Sequence, residues 1–263
     1  MVFILLVLAL AVRFFGAKGV FYFGLVVCAG GVFEYAHLAL RPLNQPRLIL
    51  IAYIFFALTL LAVAGFYAPA QWLFSFLITL PLVVSLALWV KRKDTQYVSL
   101  QPLAGLVTLG LIYASIIPGT TLHLLLNPRG AKWFSLLLAV VFSGDVAAYL
   151  GGSLLGGPKL MPHISPNKTV SGAISGLLGS SLMGIIFVHV FKMPISMFVV
   201  VALSLLIGAM AQTGDLFESL LKRVANVKDS GHFLPGHGGV LDRLDGVYFS
   251  APVILCVAHW FSR

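Results

Sequence analysis

Apolar runs alternate with short polar or Pro/Gly-rich breaks along almost the whole chain. The apolar stretches fall at about 1–17, 19–40, 48–67, 70–90, 102–118, 133–150, 171–190, 195–212 and 247–261. Roughly 20 apolar residues cross a bilayer as a helix. The pattern therefore predicts an all-α polytopic integral membrane protein with about nine transmembrane helices and a polar loop between the last two. Arg13 interrupts the first run, whose Ala9-Leu10-Ala11 triplet imitates a secretory signal. A signal peptide carries a basic segment ahead of its apolar core, and nothing charged precedes Val2, so the run is read as a retained first helix. The expected division is an N-terminal transmembrane region, 1–118, and a C-terminal transmembrane catalytic region, 119–263.

Composition sharpens this. The 263 residues are 60% hydrophobic and 10% charged, against roughly 25% charged in a soluble domain. A solvated globular surface, disorder and a coiled coil are excluded, and Cys28 and Cys256 are too few for a disulfide scaffold. The net charge of +9 comes from 17 Lys and Arg against 8 Asp and Glu. In a membrane protein such an excess records positive-inside loops rather than a nucleic-acid partner. If the loops after every second span share a face, that face holds Arg41, Arg47, Lys91, Arg92, Lys93, Lys159, Lys168, Lys222, Arg223, Lys228 and Arg243. Arg13, Lys18, Arg129, Lys132, Lys192 and Arg263 fall on the other. The 11-to-6 split puts the first group in the cytoplasm.

The acids are the more telling charges. Residues 1–118 contain only Glu34 and Asp94; the other six lie between Asp145 and Asp245. Asp215, Glu218, Asp229, Asp242 and Asp245 fall within 31 residues, with Lys222, Arg223, Lys228 and Arg243 among them. Nine ionisable groups at about 2.5–3.5 kcal/mol each would cost roughly 22–32 kcal/mol at the bilayer centre. The segment must be in water or line a wet cavity. Mixed charge of this kind suits cation binding together with phosphate binding.

Asp215, Glu218, Ser219, Lys222 and Arg223 have the spacing of one helix face. A helix start, with Asp215 as N-cap, explains the same residues. Asp242 and Asp245 repeat the i, i+3 spacing, where stabilisation of a helix N-terminus is again the plain alternative. Between them lies Lys228-Asp229-Ser230-Gly231-His232-Phe233-Leu234-Pro235-Gly236-His237-Gly238-Gly239. Its glycines suit a backbone turned toward an anion, although no Walker ending is present. Zinc on His232 and His237 is disfavoured; His237 is read as a phosphate donor. Glu34 and His37, i and i+3 on an apolar span, read most simply as an interfacial pair.

The run from Ser219 to Asp245 closely resembles the signature of the phosphatidate cytidylyltransferases (CDP-diacylglycerol synthases). Gly214-Asp215-Leu216-Phe217-Glu218-Ser219 resembles its lead-in, and Asp145-Val-Ala-Ala-Tyr149 with Ile164-Ser165-Pro166-Asn167-Lys168-Thr169 a second block. The similarity covers about 143–250; the first 118 residues agree mainly in hydropathy. Val170-Ser171 stands where the family commonly has Trp-Glu, and Asn226 where Gly is usual.

The resemblance implies that CTP and phosphatidate give CDP-diacylglycerol and pyrophosphate, at the cytoplasmic face of a bacterial inner membrane. It implies Mg2+ on Asp215, Asp242 and Asp245 together with Asp145, and allows a second cation such as K+. Lys168, Lys222, Arg223, Lys228 and Arg243 would meet CTP or lipid phosphate; His237, Gly238, Gly239 and Ser219 would lend donors. Asp229 would be a ligand or orient Lys228. A homodimer is implied by resemblance alone. The rivals are a CTP-dependent polyprenol or phytol kinase and, in another class, an ion transporter.

Overall fold

The computed structural model describes residues 2–40, 46–65, 100–126, 129–231 and 238–261. The stretch expected to span at 70–90, the Lys91-Arg92-Lys93 cluster, His232 and His237 lie outside the described residues. The described backbone is helical apart from one short hairpin. Among the described residues, five helices are long and apolar enough to cross a membrane: Lys18–Leu40, Gly105–Leu124, Gly130–Leu155, Val170–Val190 and Met197–Val224. The chain is an integral membrane protein, and it packs as two compact units, Met1–Leu126 with Asp229–Leu241, and Asn127–Lys228 with Asp242–Arg263.

In the first unit, α1 (Val2–Leu40) is broken at Gly16, whose φ of +61° is a conformation glycine adopts freely. It packs against α2 (Pro46–Gly65), which opens on a proline whose missing N–H is harmless at that position. Next, α3 (Leu100–Gly110) runs into a π-helical turn, Leu111–Ile116, and on into α4 (Ile117–Leu124). Pro118 stands at the start of α4; lacking an N–H, it cannot continue the i→i−4 ladder, and the wider turn just ahead absorbs the gap. Tyr35, Phe56, Leu60, Leu111 and Tyr113 form the core. The Tyr35 hydroxyl donates to the Leu106 carbonyl at 2.8 Å.

The second unit contains α5 (Gly130–Leu155), a hairpin of β1 (Lys159–Met161) and β2 (Ser165–Thr169), then α6 (Val170–Val190), α7 (Met197–Val224) and α8 (Leu241–Trp260). The strands pair antiparallel, Lys159 opposite Thr169. One face of α6 is small and buried at Gly172, Gly176, Ser180 and Gly184. Its other face, Ile174, Leu178, Leu182 and Ile186, is large and exposed. That is the arrangement expected when lipid solvates the bulky side chains and helices approach through small ones. Ser180 Oγ donates to the Val140 carbonyl of α5 at 3.1 Å, and Ser250 Oγ of α8 to Ile207 of α7 at 2.9 Å. A side chain at Gly144 would strike Ser180 Oγ. Gly144→Val is therefore expected to cost ~1–3 kcal/mol, read as a lower melting temperature in detergent.

Two boundaries differ from the sequence expectation. Hydropathy ends the eighth span at 212, but α7 continues to Val224. Asp215 is thus well inside a helix rather than its N-cap, and the polar segment begins as helix, not loop. Thr169 caps α6 by accepting from the Gly172 N–H at 3.1 Å. At the end of α7, Asn226 adopts φ +54°, while Val227 N–H bonds the Lys222 carbonyl and Asn226 N–H that of Arg223. Asparagine tolerates this left-handed cap, so its replacing glycine costs little.

Candidate functional site

Four segments of the second unit bring acids and a lysine to one place. Asp145 comes from α5, Lys168 from β2, Asp215 from α7 and Asp245 from the first turns of α8. Lys168 Nζ pairs with Asp215 Oδ2. A cleft of about 620 Å3 is lined by Asp145, Lys168 and Asp215, within the range of small-ligand sites, about 300–1,000 Å3. Gly214 explains why α7 and α8 approach here: a Cβ on it would strike the Asp245 carbonyl. Burial and the charge of Asp215, then that of Asp145, push the Asp245 carboxyl up to about 8, against the opposing effects of the Gly246 N–H and Lys168. That N–H donates to Asp245 Oδ1 at 2.7 Å.

A second cluster sits further along α7. Lys222 Nζ bonds Asp242 Oδ1 of α8 at 2.7 Å and pairs with Glu218, one turn back. Glu218 is 1% exposed, its Oε1 without a hydrogen-bond partner. The helical spacing read from the sequence thus becomes two stations, Asp215 facing the cleft and Glu218 with Lys222 facing α8. Across both clusters, five carboxylates (Asp145, Asp215, Glu218, Asp242, Asp245) oppose three ammonium groups (Lys159, Lys168, Lys222), a formal charge of −2. Such a deficit favours a bound cation.

The remaining expected residues are spread more widely. Arg223 is exposed and its Nε donates to the Ile164 carbonyl at 3.3 Å, tying α7 to the hairpin. Ser219 is half-buried on α7; Lys228, Asp229 and Arg243 are exposed. Sequence reasoning did not select Tyr149, Lys159, Asn167 or Gln212, all of which line the cleft. Helical spacing carried part of the signal, since Tyr149 follows Asp145 by four residues and Gln212 precedes Asp215 by three. Lys159 reaches the site only because the hairpin pairs it with Thr169. Ser171, which replaces the usual acid, donates to the Gly156 carbonyl and ties α6 to the end of α5.

In the first unit, Glu34 corrects the expected pairing with His37. His37 is exposed and rests on the Phe33 ring, 4.4 Å between centroids. Glu34 is 4% exposed; its Oε2 accepts from Ser230 Oγ at 3.2 Å and from the Leu241 N–H at 3.0 Å. Both ends of the glycine-rich segment are thereby fastened to α1. Gly239 is required there, because a Cβ would lie 2.6 Å from Glu34 Oε2, and Gly238 has φ +79°. Glu34→Ala removes the acceptor of the buried Leu241 N–H and one partner of the Ser230 hydroxyl. Each such loss costs about 1–3 kcal/mol, and faster amide exchange at Leu241 is the expected readout.

The chain matches the model of the Cytidylyltransferase family over residues 1–261. It is 44% identical over 156 residues to the phosphatidate cytidylyltransferase of Brucella suis biovar 1 (strain 1330), covering 59% of this chain and 57% of that relative. It is 39% identical over 163 residues to the enzyme of that name from Bacillus subtilis (strain 168), covering 60% and 59%. With the Rickettsia bellii (strain RML369-C) protein so named it shares 34% over 204 residues, covering 74% and 85%. In the first two alignments the chain therefore spans less than two thirds of the relative's length.

Proposed function

We propose that this chain, which belongs to the Cytidylyltransferase family, converts CTP and phosphatidate to CDP-diacylglycerol and pyrophosphate. The observation that carries this reading is the cleft where Asp145, Asp215 and Lys168 meet, with Asp245 coupled to both acids. A phosphate oxygen of phosphatidate attacks the α-phosphorus of CTP in line. A new P–O–P bond forms as the bond between α-phosphorus and the bridging oxygen breaks, and pyrophosphate leaves with that electron pair. No protein nucleophile is needed; the work is holding two polyanions together and neutralising charge. Lys168 and Lys159 are placed to hold CTP phosphates at the cleft. Lys222, held by Glu218 and Asp242, and the exposed Arg223, Lys228 and Arg243 supply positive charge for the second substrate. Ser219, Gly238, Gly239 and His237 remain candidate donors, and Asp229 a partner for Lys228.

The donor chemistry fits Mg2+: hard carboxylate oxygens, formally in excess, one of them raised by burial and then by its neighbours' charge. Among the described residues no three acids or histidines stand close enough to hold one ion, so the fit is one of donor type and charge. One or two of Asp145, Asp215 and Asp245, together with substrate phosphates, would hold the metal, which would supply neutralisation of the triphosphate. Asp242 is engaged by Lys222 and acts through it. A second cation such as K+ belongs to the same proposal.

The topology proposed is nine spans with the cleft on the cytoplasmic face of a bacterial inner membrane. Residues 1–118 form the supporting region and 119–263 the catalytic one, with a homodimer as the assembly. An ion transporter gains something from the acids lying on helices rather than in a loop. The cleft's volume and its two lysines fit a nucleotide better than a bare cation. Purified protein given labelled CTP, phosphatidate and Mg2+ is expected to form CDP-diacylglycerol. Chelation with EDTA should reduce this to background and excess Mg2+ restore it; full turnover in EDTA would sink the metal assignment.

A further inference from the structure

At the end of α5 opposite the cleft, three cations surround a cavity of about 240 Å3. Arg129 precedes α5, Lys132 lies in its first turn and Lys192 in the α6–α7 turn, with Trp133 and Phe261 as walls. The two rings lie 6.1 Å apart between centroids. No carboxylate among the described residues pairs with these cations. The nearest acid along α5, Asp145, lies 16 residues beyond Arg129, about 24 Å at 1.5 Å per residue.

Positive charge and backbone strain are concentrated at these three exposed residues. In the topology proposed above, all three residues fall on the face that carries the minority of basic residues, against the positive-inside tendency. Arg129 and Lys132 flank a helix N-terminus, whose free N–H groups are themselves positive. Lys192 holds φ +46° at the left-handed cap of α6, where its N–H bonds the His189 carbonyl and Met193 N–H that of Val188. A non-glycine residue there is strained. At the corresponding cap of α7 the chain uses Asn226.

The cationic cavity continues into an apolar one. A groove of about 380 Å3 is walled by Ile185, Val188, Met197 and Val200, with His189 at its wall, and shares Lys192, Met193 and Ile195 with it. We infer that this end of the second unit is a binding site for an anionic glycerophospholipid. Arg129, Lys132 and Lys192 hold its phosphodiester, and the Ile185–Val200 groove takes an acyl chain. Inorganic phosphate would use only the cationic half; the adjoining apolar half identifies the ligand as lipid. The site is separate from the cleft and does not depend on the reaction proposed for it.

The test uses the full chain in phosphatidylcholine vesicles containing a minor fraction of phosphatidylglycerol with a photoactivatable acyl chain. After irradiation, mass spectrometry should map label to the peptide spanning Ile185–Val200. Excess unlabelled phosphatidylglycerol should remove it, and excess inorganic phosphate should not. At about 1 kcal/mol per basic residue, the Arg129→Gln/Lys132→Gln/Lys192→Gln variant should lose labelling at least about tenfold; Lys18→Gln should keep it. Lys192→Gly relieves the backbone strain, so reduced labelling with an equal or higher melting temperature rules out misfolding. Equal labelling by a phosphatidylcholine probe, unchanged labelling of the triple variant, or displacement by phosphate would each overturn the assignment.

Discussion

Asp215→Asn is expected to lower cytidylyl transfer on the order of 10³-fold while leaving the protein folded. The magnitude follows from removing a preorganised charged group aimed at a reacting phosphoryl centre. Asp215 is the acid that pairs with Lys168, and its charge is felt by Asp245. The substitution keeps the shape, removes the negative charge and frees Lys168. Stability should change little, since the Asp215 side chain is 45% exposed and ion pairs in contact with solvent contribute at most about 1 kcal/mol. Turnover at saturating CTP across a Mg2+ titration is the measurement. Full Mg2+-dependent turnover in the variant would remove Asp215 from the centre.

Lys222→Met should produce the largest loss of stability, about 3–5 kcal/mol, the usual cost of breaking a buried ion pair by deleting one partner. Lys222 bridges Glu218 on α7 and Asp242 on α8. Removing it leaves the Glu218 and Asp242 carboxyls facing each other without their shared cation, Glu218 at a position almost closed to solvent. Methionine fills a similar volume, so the penalty is electrostatic and not a cavity. Adding Glu218→Gln removes the stranded charge and should return more than half of the loss, a coupling a double-mutant cycle isolates. Melting in detergent is the readout. A loss below about 1 kcal/mol would mean that the Lys222 pairs do not hold α7 to α8.

Much of this was legible before the structure, for identifiable reasons. Hydropathy located the long helices because lipid demands length and apolarity together. It misplaced the end of α7 because a polar helical turn and a polar loop look alike once apolar periodicity stops. The left-handed cap at Asn226 was readable because few residues tolerate that conformation. Asp145, Lys168 and Asp215 were named together through resemblance, yet their sorting from Glu218, Lys222 and Asp242 required knowing where α8 lies. Glu34 was visible as an acid in an apolar run, but its hydroxyl partner is 196 residues away, and no local spacing could supply it. Lys159 was hidden for a related reason, since a hairpin register brings it to the cleft.

Position-labelled CTP tests the central claim most directly. With purified protein, phosphatidate and Mg2+, α-labelled CTP should pass its label to lipid while γ-labelled CTP releases its label in pyrophosphate, one pyrophosphate per lipid product. Label from the γ-position appearing in lipid, with CDP released, would make the chain a kinase and contradict the account.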